Sequence, residues 1–316
     1  MAEIFQFQRN LRDYFKQQTK TWEWFAQKTN KSAQHEAFKT DLLKNAYRID
    51  KDAEPELYNA LEKAKTILGI PIPVTIYQSQ NGNDNNASIA YLDTEAHIIF
   101  SGTLLKILDP DELLALLGHE LSHVLLYQID NGDFEITNRI IDAIARDVNT
   151  EAFYLETARL NQLFTELFCD KGALQVCSNY EVVIATLVKV HTGLQKVSAE
   201  SYLKQTDEIL SKADDGSSGT THPEIYYRSK AIKLFADAVP DYDTLIENMG
   251  ISAGATKVVN AIKAPMPGLI LEIAVQEGQE VQENDALLIL EAMKMENTIS
   301  SPRSGIIKSI KVEEGN

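Results

Sequence analysis

The sequence predicts a mainly α-helical front part that carries a small β-sheet, followed by a C-terminal all-β module of the flattened-barrel type. Three observations lead there. Residues 134 to 214 contain no proline, and only Gly172 and Gly193 interrupt an otherwise helix-compatible stretch. Three short runs rich in β-branched or alternating residues crowd between positions 73 and 100. After Gly250 the composition shifts abruptly to short β-type runs punctuated by proline and glycine. With 316 residues, 44% of them hydrophobic, the chain has room for one large domain or two unequal ones with a proper core.

The elements follow in order. Residues 4 to 48 carry Phe5, Leu11, Phe15, Trp22, Phe25, Phe38, Leu42 and Leu43 among polar residues, a helix-like spacing whose aromatics belong to a core. PVTIYQ (73–78), ASIAYL (87–92) and AHIIF (96–100) read as strands of a small sheet, the first two separated by the turn-favouring NGNDNN. Asp109, Pro110 and Glu112 match an N-cap, a first-turn proline and the carboxylate of a capping box, so a helix starts there and runs through ELLALLGHELSHVLLYQ. Further helices fill 134 to 214. DDGSSGTT (214–221) reads as a surface loop, and THPEIYYRSKAIKLFADAV resumes the helical pattern. The front domain is expected over residues 1–248, a linker over 249–258, and the β module over 259–316.

That module contains a repeat at an offset of 37 residues. Pro265, Gly268, Ile270, Ile273, Val275, Glu277 and Gly278 return as Pro302, Gly305, Ile307, Ile310, Val312, Glu314 and Gly315. Two similar β halves are implied. The first half continues as QEVQENDALLIL whereas the second stops at Asn316, so a module lacking its last strand is expected.

Charge and composition exclude several function classes. With 46 acidic against 30 basic side chains the formal charge is −16, which repels phosphate backbones and anionic lipid heads. No run of about 18 apolar residues occurs, and MAEIFQFQRN has neither a basic n-region nor an apolar h-region. The expectation is a cytoplasmic protein with no integral membrane segment and no nucleic-acid partner. Cys169 and Cys177, eight apart in helical sequence, read as free thiols.

The run HELSH carries the chemistry. His119 and His123 are four apart on a helix, so both imidazoles leave one face about a turn apart and can bind one ion. Glu120 sits beside that ion without being a ligand, where it can act as general base toward a metal-bound water. Zinc suits such a site because it tolerates low coordination and acidifies water. The flanks LLALLG and VLLYQ are apolar, and burying two histidines and a glutamate with no shared purpose is costly. For the third ligand the best candidate is Glu166 in LNQLFTELFCDKGAL, with Asp170 four residues on to accept a hydrogen bond from a ligand histidine. His222 follows the flexible loop and either stabilises a developing oxyanion or belongs to a helix N-terminal region. His35, His97 and His191 have no partner at ligand spacing and read as structural or surface residues.

LDPDELLALLGHELSH, TELFCD and THPEIYYR, in that order, resemble the HtpX-like and CAAX-endopeptidase family of gluzincin zinc metallopeptidases, over roughly residues 55 to 235. The resemblance implies an α+β gluzincin fold and an endopeptidase acting on a peptide or protein substrate. It implies zinc held by His119, His123 and Glu166, catalysis by Glu120, orientation by Asp170, and transition-state contacts from His222 and Arg228. It further implies that AHIIF or ASIAYL offers an edge strand to an extended peptide. Many relatives are embedded in membranes, and this sequence shows no spanning segment.

In EAMKMENTISSP, Lys294 stands between Met293 and Met295 after the β-type run LLIL. With APMPG opening the first half and SPRSG the second, the pattern resembles the biotinyl domain of carboxyl carrier proteins. The flanking methionines favour biotin over lipoate. The resemblance implies biotin attached to Lys294 and a biotin-protein ligase as partner. The competing reading of the whole chain is a biotin carboxyl carrier-type protein whose metal-binding domain is catalytically silent.

Overall fold

The computed structural model describes residues 4–27, 31–80, 82, 84–147, 150, 152–212, 222–237, 262, 268–282, 285–292, 295–301 and 305–315. The expected linker at 249–258 and the loop at 214–221 lie outside them.

The N-terminal segment forms α1 (Gln6–Gln17), α2 (Thr19–Ala26) and α3 (Lys31–Asn45). Phe7, Leu11, Tyr14 and Phe15 recur at helical spacing, so α1 buries one face. Its Phe7 stacks on Phe164 at 5.1 Å between ring centroids. The chain then makes β1 (Ala46–Arg48), α4 (Pro55–Leu68), β2 (Val74–Ser79), β3 (Asn86–Tyr91) and β4 (Ala96–Ser101). In α4, Leu57, Leu61, Ala64 and Leu68 line the buried face. The sheet order is β1-β2-β4-β3, with β2 and β4 parallel and the other pairs antiparallel. Strand β1 is an addition to the three strands read from sequence, since its residues continue directly from α3. Strand β3, the ASIAYL run, holds the edge, and β4 lies inside the sheet.

After the short α5 (Leu104–Ile107) comes α6 (Pro110–Gln128), which carries HELSH. Its start is the capping box read from sequence. Asp109 Oδ1 accepts from the Glu112 backbone N–H at 2.9 Å, and Glu112 Oε2 accepts from the Asp109 N–H at 2.9 Å. Leu114, Leu117, Leu121 and Val124 are buried along with Ala115, Leu116, Leu125 and Leu126, so α6 is apolar nearly all round and runs through the interior. α7 (Asp133–Ala145), α8 (Ala152–Cys177), α9 (Tyr180–Thr192), α10 (Ala199–Leu210) and α11 (Ile225–Ala236) follow.

One close approach positions the site. A Cβ on Gly172 of α8 would stand 1.8 Å from Ser122 Oγ and 2.7 Å from Ser122 Cβ of α6, so the two helices cross where no side chain fits between them. Ser122 returns its hydroxyl to the Gly118 carbonyl at 2.7 Å and so stays paired inside this contact. The crossing brings the residues before Gly172 against the histidines of α6. Among the described residues no helix is long and apolar enough to cross a membrane.

The C-terminal part contains β5 (Leu269–Ile273), β6 (Glu280–Val281), β7 (Ala286–Ala292), β8 (Met295–Ser300) and β9 (Gly305–Ile306). β5, β7 and β8 form one antiparallel sheet, and β6 pairs with β9. The sequence repeat has a structural counterpart in reciprocal bonds. Gly278 N–H donates to Ile307 O at 2.7 Å and Gly315 N–H to Ile270 O at 2.8 Å. Likewise Ile310 N–H donates to Glu277 Oε1 at 2.8 Å and Ile273 N–H to Glu314 Oε1 at 3.0 Å. Each half therefore closes on its counterpart through equivalent residues.

Candidate metal centre and carrier module

His119 and His123 leave α6 one turn apart with ring centroids 5.4 Å from each other. From α8, Glu166 places Oε2 at 3.4 Å from His119 Nε2 and Oε1 at 3.7 Å from His123 Nε2. One carboxylate thus spans both imidazoles, each through its Nε2. Asp170, one turn further along α8, sets Oδ1 at 3.1 Å from His119 Nδ1. Once Nε2 has given up its proton, an Nδ1–H donated to that carboxylate leaves the Nε2 lone pair facing Glu166, the tautomer a metal ligand needs.

Arg228 of α11 completes the charge arrangement. It is 3% exposed and forks onto Asp170, with Nε donating to Oδ2 at 2.8 Å and an Nη2–H to Oδ1 at 2.7 Å. Its other terminal nitrogen lies 3.6 Å from Glu166 Oε2. His222 Nε2 approaches the same Oε2 at 3.5 Å, with its side chain about half exposed at the mouth of the cleft. These approaches are too long to be hydrogen bonds, and Glu166 Oε2 is buried with none. A buried carboxylate oxygen that faces imidazole nitrogens and lacks a hydrogen bond fits a cation between them.

The electrostatics follow from burial and this set of neighbours. Burial opposes ionisation of Glu166, yet His119, Arg228 and His123 outweigh it and hold the carboxyl well below its usual range. Burial likewise opposes Asp170 and is overcome by Arg228, so its pKa is lowered. For His119 burial favours the neutral ring, but Asp170 and Glu166 prevail and raise the pKa to about 10. His123 has no comparable partner, and burial lowers it to about 4. Glu120, 5% exposed, is raised by burial to about 7, with His119 pulling the other way. A carboxylate poised near neutrality beside the two histidines is suited to exchange protons.

His119, Glu120, Glu166, Asp170, His222 and Arg228 all border one cleft. Its edge is made by Asn86 and Ala87 of β3, and its apolar wall by Ala115, Leu116, Val183 and Leu187. Of the remaining histidines, His97 is 2% exposed beside Tyr77 and Phe38. His35 sits on α3. His191 lines the cleft, its Nδ1 2.9 Å from the Leu187 carbonyl. Sequence reasoning passed over His191 because nothing near it in sequence is chemically suggestive; only the packing of α9 against α6 brings it there. Cys169, read from sequence as a free thiol, is one. Fully buried, and with its pKa pushed well up by that burial, Cys169 nevertheless lies with His119 and His123 so that one ligand atom from each falls within 4.8 Å of the others.

In the C-terminal part Lys294 lies outside the described residues, as does Met293. The strands on either side are described: β7 and β8 pair antiparallel, with Ala292 opposite Met295. Residues 293 and 294 are all that separates them.

Comparison with known proteins agrees with this division. Residues 52–131 match the model of peptidase family M48, and residues 260–316 match that of the biotin-requiring enzymes. The chain is 26% identical over 184 residues to the plastoglobule-localized metallopeptidase 48 of Arabidopsis thaliana, a span covering 57% of this chain and 52% of that protein. It is 30% identical over 88 residues to the protease HtpX homolog of Tropheryma whipplei, covering 28% of this chain and 30% of the other. Its C-terminal part is 50% identical over 42 residues to the biotin carboxyl carrier protein of Streptococcus mutans, covering 13% of this chain and 32% of the carrier. The chain spans about half the length of the Arabidopsis relative. The family M48 match includes HELSH and ends before Glu166, whose place beside the histidines is known from the tertiary structure. Residues 52–131 are thus a peptidase M48 (HtpX-like) domain that carries HELSH, and residues 260–316 a biotin carrier-type domain.

Proposed function

We propose that the chain is a zinc-dependent endopeptidase that also carries biotin on Lys294. The observation that supports the first part best is the convergence of His119, His123 and Glu166, with a buried Glu166 oxygen that no hydrogen bond satisfies. The three would hold zinc, and Glu120 stands next to them without being needed as a ligand. Bound zinc would supply Lewis acidity, polarising the scissile carbonyl and acidifying water.

This chain's own residues do the rest. Glu120, with its pKa raised to about 7, takes the proton from the attacking water and later delivers it to the leaving amine. Asp170 holds His119 in the tautomer that presents Nε2, and Arg228 holds Asp170. His222, at the mouth of the cleft, donates to the oxygen on which negative charge develops. Strand β3, with its free edge beside the cleft, suits an extended peptide that pairs along it.

Metal analysis of the purified protein should give one zinc per chain, reduced in Glu166→Ala. Glu120→Gln should retain zinc and lose peptide hydrolysis. Zinc content near zero in the wild type, or hydrolysis unchanged in Glu120→Gln, would defeat the reading. For the carrier part, support comes from the β7–β8 pairing around residues 293 and 294 and from the likeness to a biotin carboxyl carrier protein. Streptavidin blotting should detect the wild type and not Lys294→Arg. A biotinylated protein that binds no metal would favour the carrier-type reading of the whole chain.

A further inference from the structure

Glu166 is not the sole metal-ligating side chain that α8 turns toward the histidines. Cys169 follows it by three residues and Asp170 by four, so all three share one helical face. Cys169 is fully buried, and one ligand atom from each of His119, His123 and Cys169 falls within 4.8 Å of the others. Around a tetrahedral zinc ion the bond lengths of sulfur and imidazole nitrogen put such atoms about 3.6 Å apart, and a larger ion such as cadmium holds them somewhat further apart. Closing the gap takes about 1 Å of side-chain adjustment. A second observation points to a cation at the same place, namely the buried Glu166 Oε2 that faces His119 Nε2 at 3.4 Å with no hydrogen bond of its own.

We infer that Cys169, His119 and His123 form a second ligand set for a thiophilic cation such as cadmium, sharing both histidines with the Glu166 set. The inference rests on reading the two histidines as metal ligands. Softness decides between the sets: thiolate sulfur prefers a soft ion, and carboxylate oxygen a harder one. When the soft ion binds, the Cys169 S–H bond and the N–H bond at the ligating nitrogen of protonated His119 break, one metal–sulfur and two metal–nitrogen bonds form, three waters leave the ion's hydration shell, and the released protons pass to buffer. No electron is transferred.

The full-length protein, stripped of metal with a chelator and titrated with cadmium chloride alone, provides the test. The readout is the ultraviolet thiolate-to-cadmium charge-transfer absorption. One equivalent should saturate the band in the wild type, in Glu166→Gln and in Cys177→Ser, and the band should vanish in Cys169→Ser. A band undiminished in Cys169→Ser, or no band in the wild type, would overturn the inference. Should Cys169→Ser fail to fold by circular dichroism, the cadmium NMR shift of the wild-type complex decides alone. A shift typical of nitrogen and oxygen ligands only would overturn the inference, and one displaced by sulfur supports it. The zinc content of Glu166→Gln reports separately on the Glu166 set, so the two readings fail in different experiments.

Discussion

Replacing Arg228 by methionine keeps much of the volume of the side chain and removes its charge. Arg228 is 3% exposed, and its guanidinium is the buried cation that Asp170 and Glu166 share, at 2.7 and 2.8 Å from the first and 3.6 Å from the second. Both carboxylates are 4% exposed and cannot recover hydration without local opening. Breaking a buried pair by removing one partner costs about 3–5 kcal/mol, chiefly because the remaining charge is stranded. With a chelator present, Arg228→Met should therefore lose about 3–5 kcal/mol of stability. Zinc supplies a second positive charge next to Glu166; at a hundredfold excess over the wild-type dissociation constant it contributes about 2.7 kcal/mol to the wild type, and it contributes more to the variant, whose Glu166 has lost its other counter-charge and binds zinc more tightly. The deficit of the variant should accordingly shrink by about 1–2 kcal/mol when zinc is present, since only Asp170 then remains without a counter-charge. Urea unfolding followed by tryptophan fluorescence is the appropriate assay, because Trp22 and Trp24 both lie in α2 and report on the front part alone. A chelated variant within about 1 kcal/mol of the wild type, or a deficit that zinc leaves unchanged, would refute the reasoning.

Gly172→Ala should separate α6 from α8, since the new Cβ meets Ser122 Cβ at 2.7 Å. Overpacking of this kind costs about 1–3 kcal/mol, and zinc affinity measured by competition with a chromophoric chelator should fall with it. Zinc affinity should rise with pH from neutrality up to about 10, because His119 must give up the proton that Asp170 and Glu166 favour, whereas His123, lowered to about 4 by burial, is already neutral. A flat affinity profile by calorimetry between neutral pH and pH 9 would contradict this. For Asp170 the folded-state pKa is lowered, so its contribution is present in full above the free-carboxylate value of 3.8 and is lost as pH falls through the lower folded value. The urea midpoint of the wild type should drop below about pH 4, and that part of the drop should be missing in Asp170→Asn.

Different parts of the molecule were legible to different degrees. The capping box at Asp109 and Glu112 and the histidine pair of α6 are local patterns: their geometry follows from helical spacing, and no distant residue alters it. The repeat at Ile270 and Gly278 was equally plain, since two similar segments tend to adopt similar structure, and the reciprocal bonds to Ile307 and Gly315 express that. Strand β1 was hidden, because its three residues continue α3 and become a strand only by pairing with β2. His191 was hidden for a related reason: its role is set by where α9 lies.

By itself, then, the sequence determined which chemistry is present: two imidazoles and a carboxylate on one helix, a pair of carboxylates on another, and a lysine between two β-type runs. Tertiary structure alone decided what meets what. It put Glu166 across both histidines, clamped Asp170 with Arg228, left one buried oxygen without a hydrogen bond, and brought Cys169 near the same two histidines. The physical reason is the crossing of α6 and α8 at Ser122 and Gly172, a contact between residues about 50 apart in sequence whose closeness depends on packing and not on either local pattern.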